Sequence, residues 1–96
     1  MSRLLSIDPT VMRRLRELPK AQRVECLLAL CDLLEAFGRP HQHAGIGIRK
    51  LGAKLFEFRG NLDLRFIFQD RRDELYVSFL GTHDEVRNLL RRGNYD

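Results

Sequence analysis

Glu57, Arg65 and Ser78 are a carboxylate, a guanidinium and a hydroxyl carried on three successive runs of alternating apolar residues within positions 54–83. Such alternation reads as consecutive antiparallel strands, here separated by Gly60-Asn61 and by Asp70 to Asp73. One parity is apolar throughout: Phe56 and Phe58, then Leu64, Phe66 and Phe68, then Leu75, Val77 and Phe79. A one-residue slip would invert every side chain, so requiring these sets to share a face fixes the register. It predicts Phe56 opposite Phe66 and Phe58 opposite Leu64, around a loop of Gly60, Asn61 and Leu62. Glu57 then lies opposite Arg65, and Arg59 opposite Asp63. In the second hairpin Phe66 opposes Val77 and Phe68 opposes Leu75, with Arg71-Arg72 in the turn. Glu57, Arg65 and Ser78 become one row on the face away from the aromatic core. A base beside an anion-binding fork is one use of that row. The plainer use is a cross-strand ion pair on a solvated face, worth under ~1 kcal/mol.

The other chemistry-bearing residues are sparse. His41 and His43 are spaced to share a metal, but no cysteine or nearby carboxylate completes a set, so they read as loop polarity and no metal site is expected. Cys26 and Cys31 sit five apart in a helical pattern and read as reduced core residues, consistent with a cytoplasmic protein. The net charge is +4 and most cations are arginines, which points weakly to nucleic acid or an acidic protein partner. No apolar run approaches the ~20 residues that span a bilayer, and the N-terminus lacks a signal-peptide apolar region.

Elements that position these groups follow from the rest of the chain, whose 96 residues suit a single domain spanning 1–96. Arg3-Leu4-Leu5-Ser6-Ile7 is a short apolar stretch stopped by Asp8-Pro9 and reads as an edge strand. Asp8 caps a first helix with Pro9 at its first position, and Val11, Leu15 and Leu18 form its apolar stripe. From Lys20 to Phe37 the pattern is again helical. Ala21, Val24, Leu27, Leu28, Cys31 and Leu34 make one stripe, and Leu30, Leu33 and Phe37 widen it beyond what one sheet face covers. Gly38 and Pro40 end that helix. Ile46, Ile48 and Leu51 read as a short strand or extended segment entering the sheet, with Arg49 and Lys50 as a basic pair. Gly81 ends the last strand, and Thr82 or Asp84 caps a terminal helix ended by Gly93. The expectation is an α+β domain. Its antiparallel sheet comprises three consecutive strands plus an N-terminal edge strand, packed on one face by an α-helical hairpin, with a short C-terminal helix.

That order resembles the RelE/ParE superfamily of bacterial toxins from type II toxin–antitoxin pairs. The likeness extends to Phe37-Gly-Arg-Pro40, Gly47-Ile-Arg-Lys-Leu51, Leu55-Phe-Glu-Phe-Arg59, Leu64-Arg-Phe-Ile-Phe68 and Gly81-Thr-His-Asp-Glu-Val86, in the order and spacing of that family. It covers nearly the whole chain and is weakest over residues 1–8. RelE-like members cleave mRNA in the ribosomal A site, whereas ParE-like members inhibit DNA gyrase and are not nucleases. The resemblance thus implies a cytoplasmic toxin neutralised by a cognate antitoxin, and a metal-independent mRNA endoribonuclease acting with the ribosome and without a cofactor. The alternatives are a gyrase-directed binding module and a member that only binds an antitoxin.

For cleavage, the resemblance implies roles residue by residue. Arg65 matches the family's phosphate-contacting arginine. His83 lies just after the last strand, where these nucleases place a basic or imidazole group suited to acid or base work. Glu57 fits a base role, although many relatives carry lysine on this strand. Arg49, Lys50, Arg59 and Arg87 are candidate RNA contacts. Many such nucleases carry a C-terminal tyrosine that stacks on a base. Here Arg87 holds the corresponding place, and Tyr95 lies beyond Gly93. An antitoxin segment with apolar anchors and acidic groups is expected to dock on the helices or on an exposed sheet edge.

Overall fold

The computed structural model describes residues 4–37 and 47–93. The elements in chain order are β1 (Leu4–Ile7), α1 (Pro9–Glu17), α2 (Lys20–Ala36), β2 (Arg49–Lys50), β3 (Leu55–Arg59), β4 (Leu64–Asp70), β5 (Glu74–Thr82) and α3 (His83–Arg91). The five strands form one sheet in the order β1-β5-β4-β3-β2. Three of its pairings are antiparallel, but β1 runs parallel to β5, so the sheet is mixed and the expectation of a wholly antiparallel one is corrected. The reason is connectivity. β1 and β5 are not joined by a hairpin but by everything between them, and only such a long connection lets neighbours run parallel. No helix among the described residues is long and apolar enough to cross a membrane.

Asp8 caps α1 as expected: its carboxylate accepts from the Thr10 amide and hydroxyl, with Pro9 at the first helical position. The Tyr76 hydroxyl also donates to Asp8 and ties this cap to β5. The carboxyl of Asp8 is held below its ordinary value, first by the Thr10 hydroxyl and then by Tyr76. Pro19 separates the two helices. The Arg23 guanidinium of α2 donates to the carbonyls of Leu15 and Leu18, satisfying acceptors that the end of α1 leaves open.

One sheet face carries Phe58, Phe66, Phe68, Leu75 and Val77, packed on Val11 and Leu15 of α1 and on Cys26, Leu30 and Leu33 of α2. Phe58 stacks on Phe66 at 4.8 Å, and Phe37 meets Phe56 and Phe68 edge-on. The α2 stripe expected to lead is the one turned outward. Val24, Leu27, Leu28 and Leu34 are exposed, and so is Cys31, whereas Cys26 is buried. The helix is apolar on nearly every side, so periodicity could not say which side meets the sheet. Burial of Leu30 and Leu33 by the chain itself removes them as anchors for a docking partner.

Register departs from expectation in both hairpins. Phe58 pairs with Phe66, Phe56 with Phe68 and Arg59 with Arg65, a shift of two residues that keeps every side chain on its expected face. The cause is Asn61. Its side-chain oxygen accepts from the amides of Asp63 and Leu64, both at 2.8 Å, and this Asx-type turn holds a loop of residues 60–64 between the paired Arg59 and Arg65, two residues longer than Gly60-Asn61-Leu62. Gly60 fits closely there: a Cβ would lie 3.1 Å from the Cys26 sulfur and 3.0 Å from the Phe66 ring, so a larger residue would have to push these neighbours back.

Between β4 and β5, Ile67 pairs with Phe79 but Phe68 pairs with Val77, which leaves Ser78 as the extra residue of a bulge. Its hydroxyl donates to the Ile67 carbonyl. The bulge flips the parity of β5, so Leu80 joins the helix-covered core in place of Phe79. Phe79 turns to the second face with Leu55 and Ile67, where α3 packs through Val86, Leu89 and Leu90. β5 also continues through Gly81 to Thr82, beyond the expected stop.

Candidate functional site

The second sheet face is only partly covered by α3, and the uncovered part is a cleft of about 140 Å³ lined by Gly47, Arg49, Glu57, Arg59, Arg65 and His83. Alternation explains the sheet contributions. Leu55, Glu57 and Arg59 share the face of Ile67, and so does Arg65. Leu55 and Ile67 meet α3, while Glu57, Arg59 and Arg65 continue that face into the open. Arg65 has Arg59 as its cross-strand neighbour on one side and Gly81 on the other, not Glu57 and Ser78 as the expected register required. Ser78 does not line the cleft.

Glu57 instead pairs with Arg49 of β2, Nη2 to Oε1 at 2.7 Å. The Glu57 side chain is 5% exposed and that of Arg49 65%, so the ion pair has one buried end and one wet end. The second carboxylate oxygen, Oε2, is buried without a hydrogen-bond partner among the described residues, and so is Nη1 of Arg65. Leaving such groups unpaired costs about 1–3 kcal/mol each, more for charged ones, and the cost is relieved when a ligand of opposite character arrives. The cleft therefore offers an open acceptor at Glu57 and an open donor at Arg65. Three guanidinium groups against one carboxylate make it a basic recess.

His83 is the first residue of α3, held at the rim by a reciprocal cap. The Thr82 hydroxyl accepts from the Glu85 amide at 3.2 Å, and the Glu85 carboxylate accepts from the Thr82 amide at 2.7 Å. Arg14 of α1 donates to Glu85 at 2.9 Å, fixing the helix start against the opposite layer. The carboxyl of Glu85 is accordingly held below its ordinary value, first by the Thr82 amide and further by Arg14, against a smaller desolvation effect. Gly81 leaves room for this arrangement, since a Cβ would fall 2.7 Å from the Phe79 ring and 2.8 Å from Glu85 Oε1. Free amides at the start of α3 add positive potential beside the cleft.

Of the residues singled out from sequence, the cleft brings together Glu57, Arg65, His83, Arg49 and Arg59. Lys50 is not among them. It pairs with Phe56 on β3, and alternation turns it to the helix-covered side, away from Arg49. Arg87 follows His83 by one helical turn and is exposed, but it does not line the cleft. The sequence reading missed Gly47, which sits at the rim with φ +71° against the Arg59 side chain, and it missed the Arg49–Glu57 pair. A two-residue β2 carries too little pattern to assign that pairing in advance. His41, His43, Gly38 and Tyr95 lie outside the described residues, and among those described no group of three His, Cys, Asp or Glu could hold a metal ion.

Among solved structures, the chain is similar to RelE of the archaeal RelE–RelB complex from Pyrococcus horikoshii OT3, with a TM-score of 0.68 and 24% identity over 85% of this chain and 96% of that one. The fold is RelE-like. A double mutant of the E. coli toxin RelE in the free state matches at a TM-score of 0.64 and 17% identity, covering 96% of this chain and 98% of that one. The YoeB–YefM complex from Staphylococcus aureus matches at 0.60 and 15%, covering 86% and 99%. No protein-family model matches the chain, and comparison with characterised proteins by sequence finds no match.

Proposed function

We propose that the chain is the toxin of a toxin–antitoxin pair and a metal-independent endoribonuclease that cleaves mRNA on the ribosome in the cytoplasm. The observation that carries this reading is the Nη1 of Arg65, buried and without a hydrogen-bond partner among the described residues, in the same basic cleft as Glu57 and His83. The RelE-like fold supports it, and so does the fact that two structures sharing that fold were solved as complexes with a second protein, RelB or YefM. By analogy, the partner here is a cognate antitoxin.

The cleft has the three groups that backbone cleavage of RNA needs. Glu57 takes the proton of a ribose 2′-hydroxyl, whose oxygen attacks the adjacent phosphorus. Arg65 binds the non-bridging oxygens as charge builds on the phosphorane. His83 gives a proton to the departing 5′-oxygen, so the P–O5′ bond breaks as the P–O2′ bond forms. The products are a 2′,3′-cyclic phosphate and a 5′-hydroxyl. Arg49 and Arg59 hold the flanking backbone, and Arg87, one turn along α3, extends that basic track.

Primer extension on ribosome-bound message, with the purified chain and its Arg65→Ala and His83→Gln variants, tests this reading. Cleavage by the wild type that fails with Arg65→Ala is the expected result. An intact message with inhibited DNA supercoiling would transfer the chain to the gyrase-directed class.

A further inference from the structure

The outward face of α2 has a composition that nothing else among the described residues accounts for. Lys20, Val24, Leu27, Leu28, Cys31 and Glu35 recur at spacings of three and four and share the side opposite Cys26, Leu30 and Leu33. Leu28 is 60% exposed, with Val24, Leu27 and Leu34 all above 40%, so the face is a continuous aliphatic strip. Its ends are charged against the helix's own field. The first turn holds Lys20 and no acid, and the last holds Glu35 and no base. A helix dipole favours the reverse placement. The side chains of Lys20, Asp32 and Glu35 make no hydrogen bond or ion pair among the described residues.

An antiparallel copy of the same helix corrects both features at once. We propose that α2 packs on α2 of a second copy of this chain, about a two-fold axis passing between Leu27 and Leu28. In that register Leu27 meets Leu28 of the partner subunit and Val24 meets Cys31 of the partner subunit. Lys20 faces Glu35 of the partner subunit at both ends. Each positive end lies against a negative one, and the two helix dipoles oppose. A parallel copy would set Lys20 on Lys20. An acidic partner segment would meet Glu25, Asp32 and Glu35, three carboxylates with which it has no complementarity.

One helix-on-helix contact falls below the ~1,200 Å² of a stable interface, so dissociation lies on the order of ~10–100 µM. α2 lies on the sheet face opposite the cleft, so the dimer leaves Arg65 and His83 open and does not rest on the nuclease reading.

The test is sedimentation velocity of the purified full-length chain from about 1 to 300 µM, spanning that range. The expected result is a concentration-dependent shift from monomer to dimer, accompanied by slower alkylation of Cys31. Leu28→Arg alters an exposed position and should hold the chain monomeric with an unchanged circular dichroism melt. Lys20→Glu should weaken the dimer at least tenfold, and Lys20→Glu with Glu35→Lys should restore it to within about threefold, since two such pairs are exchanged per dimer. A chain that stays monomeric throughout overturns the proposal. So does a dimer indifferent to Leu28→Arg, or a double variant no tighter than Lys20→Glu alone. Protection of Cys31 that needs an added antitoxin assigns the strip to that partner instead.

Discussion

Arg49 and Glu57 are joined at 2.7 Å, with the acid almost wholly buried and the base largely in water. Removing the wet end strands the dry one, and the penalty belongs to the carboxylate left behind rather than to the attraction lost. Arg49→Ala should therefore lower stability by about 1–2 kcal/mol, read by denaturant or thermal melts. In a Glu57→Gln background the same change should cost much less. Equal costs in the two backgrounds would mean that Arg49 acts through something other than this pair.

Arg65 presents the opposite case. It has no ion-pair partner among the described residues, and its Nη1 is buried unsatisfied. Truncation to Ala should leave the melt within about 1 kcal/mol of wild type. The cleavage rate on ribosome-bound message should fall on the order of a hundredfold, the scale of losing one donor aimed at developing negative charge. A folded Arg65→Ala protein that cleaves normally removes this residue from the mechanism.

Thr82 and Gly81 should matter for activity through His83 alone. Thr82→Ala removes the helix cap and should cost about 1 kcal/mol. Gly81→Ala drives a methyl into the Phe79 ring and the Glu85 carboxylate, and should cost about 1–3 kcal/mol. Both should reduce cleavage turnover more than message binding, measured by separating kcat from KM under conditions where each variant remains folded. Loss of binding with turnover intact would contradict a positioning role.

The acid side of the stability profile should report Glu85. Its folded value lies below the ordinary 4.5, so the unfolded chain takes up the proton first. Its contribution is complete above about pH 4.5 and fades as the pH falls through the lowered folded value. Glu85→Gln should be less stable than wild type at neutral pH, and the difference should shrink below pH 4.5. Melts of both proteins from neutral pH to pH 3 measure this. A gap that persists unchanged in acid would assign the loss to side-chain packing rather than charge.

Face assignment in β3 and β4 was readable because period-two alternation survives an error of two residues. That is why Glu57, Arg59 and Arg65 sit on one side even though none has the neighbour expected of it. Pairing was less readable. Asn61 decides the loop through its own side-chain hydrogen bonds, and Ser78 decides the bulge by yielding its place in the ladder. Neither act leaves a mark in hydrophobic periodicity. The outward face of α2 was unreadable for a different reason: a helix with apolar residues on nearly every side does not announce which side it buries. His83 was placed by family likeness rather than by spacing, and the cap of Thr82 and Glu85 is the local signal that supports that placement.

The parallel seam between β1 and β5 has a kinetic consequence. Leu4 pairs with Glu74 and Ile7 with Val77, so each contact closes a loop of 70 residues. During synthesis the first strand emerges long before its partner exists. Until β5 arrives, β1 has no ladder to join. Once β5 has paired with β4, its other edge stands open until β1 returns. The last hydrogen bonds of this sheet are thus made by its earliest residues. A nascent chain stalled before Val77 should be sensitive to protease at Leu4–Ile7 even where the β3–β4 hairpin is already protected.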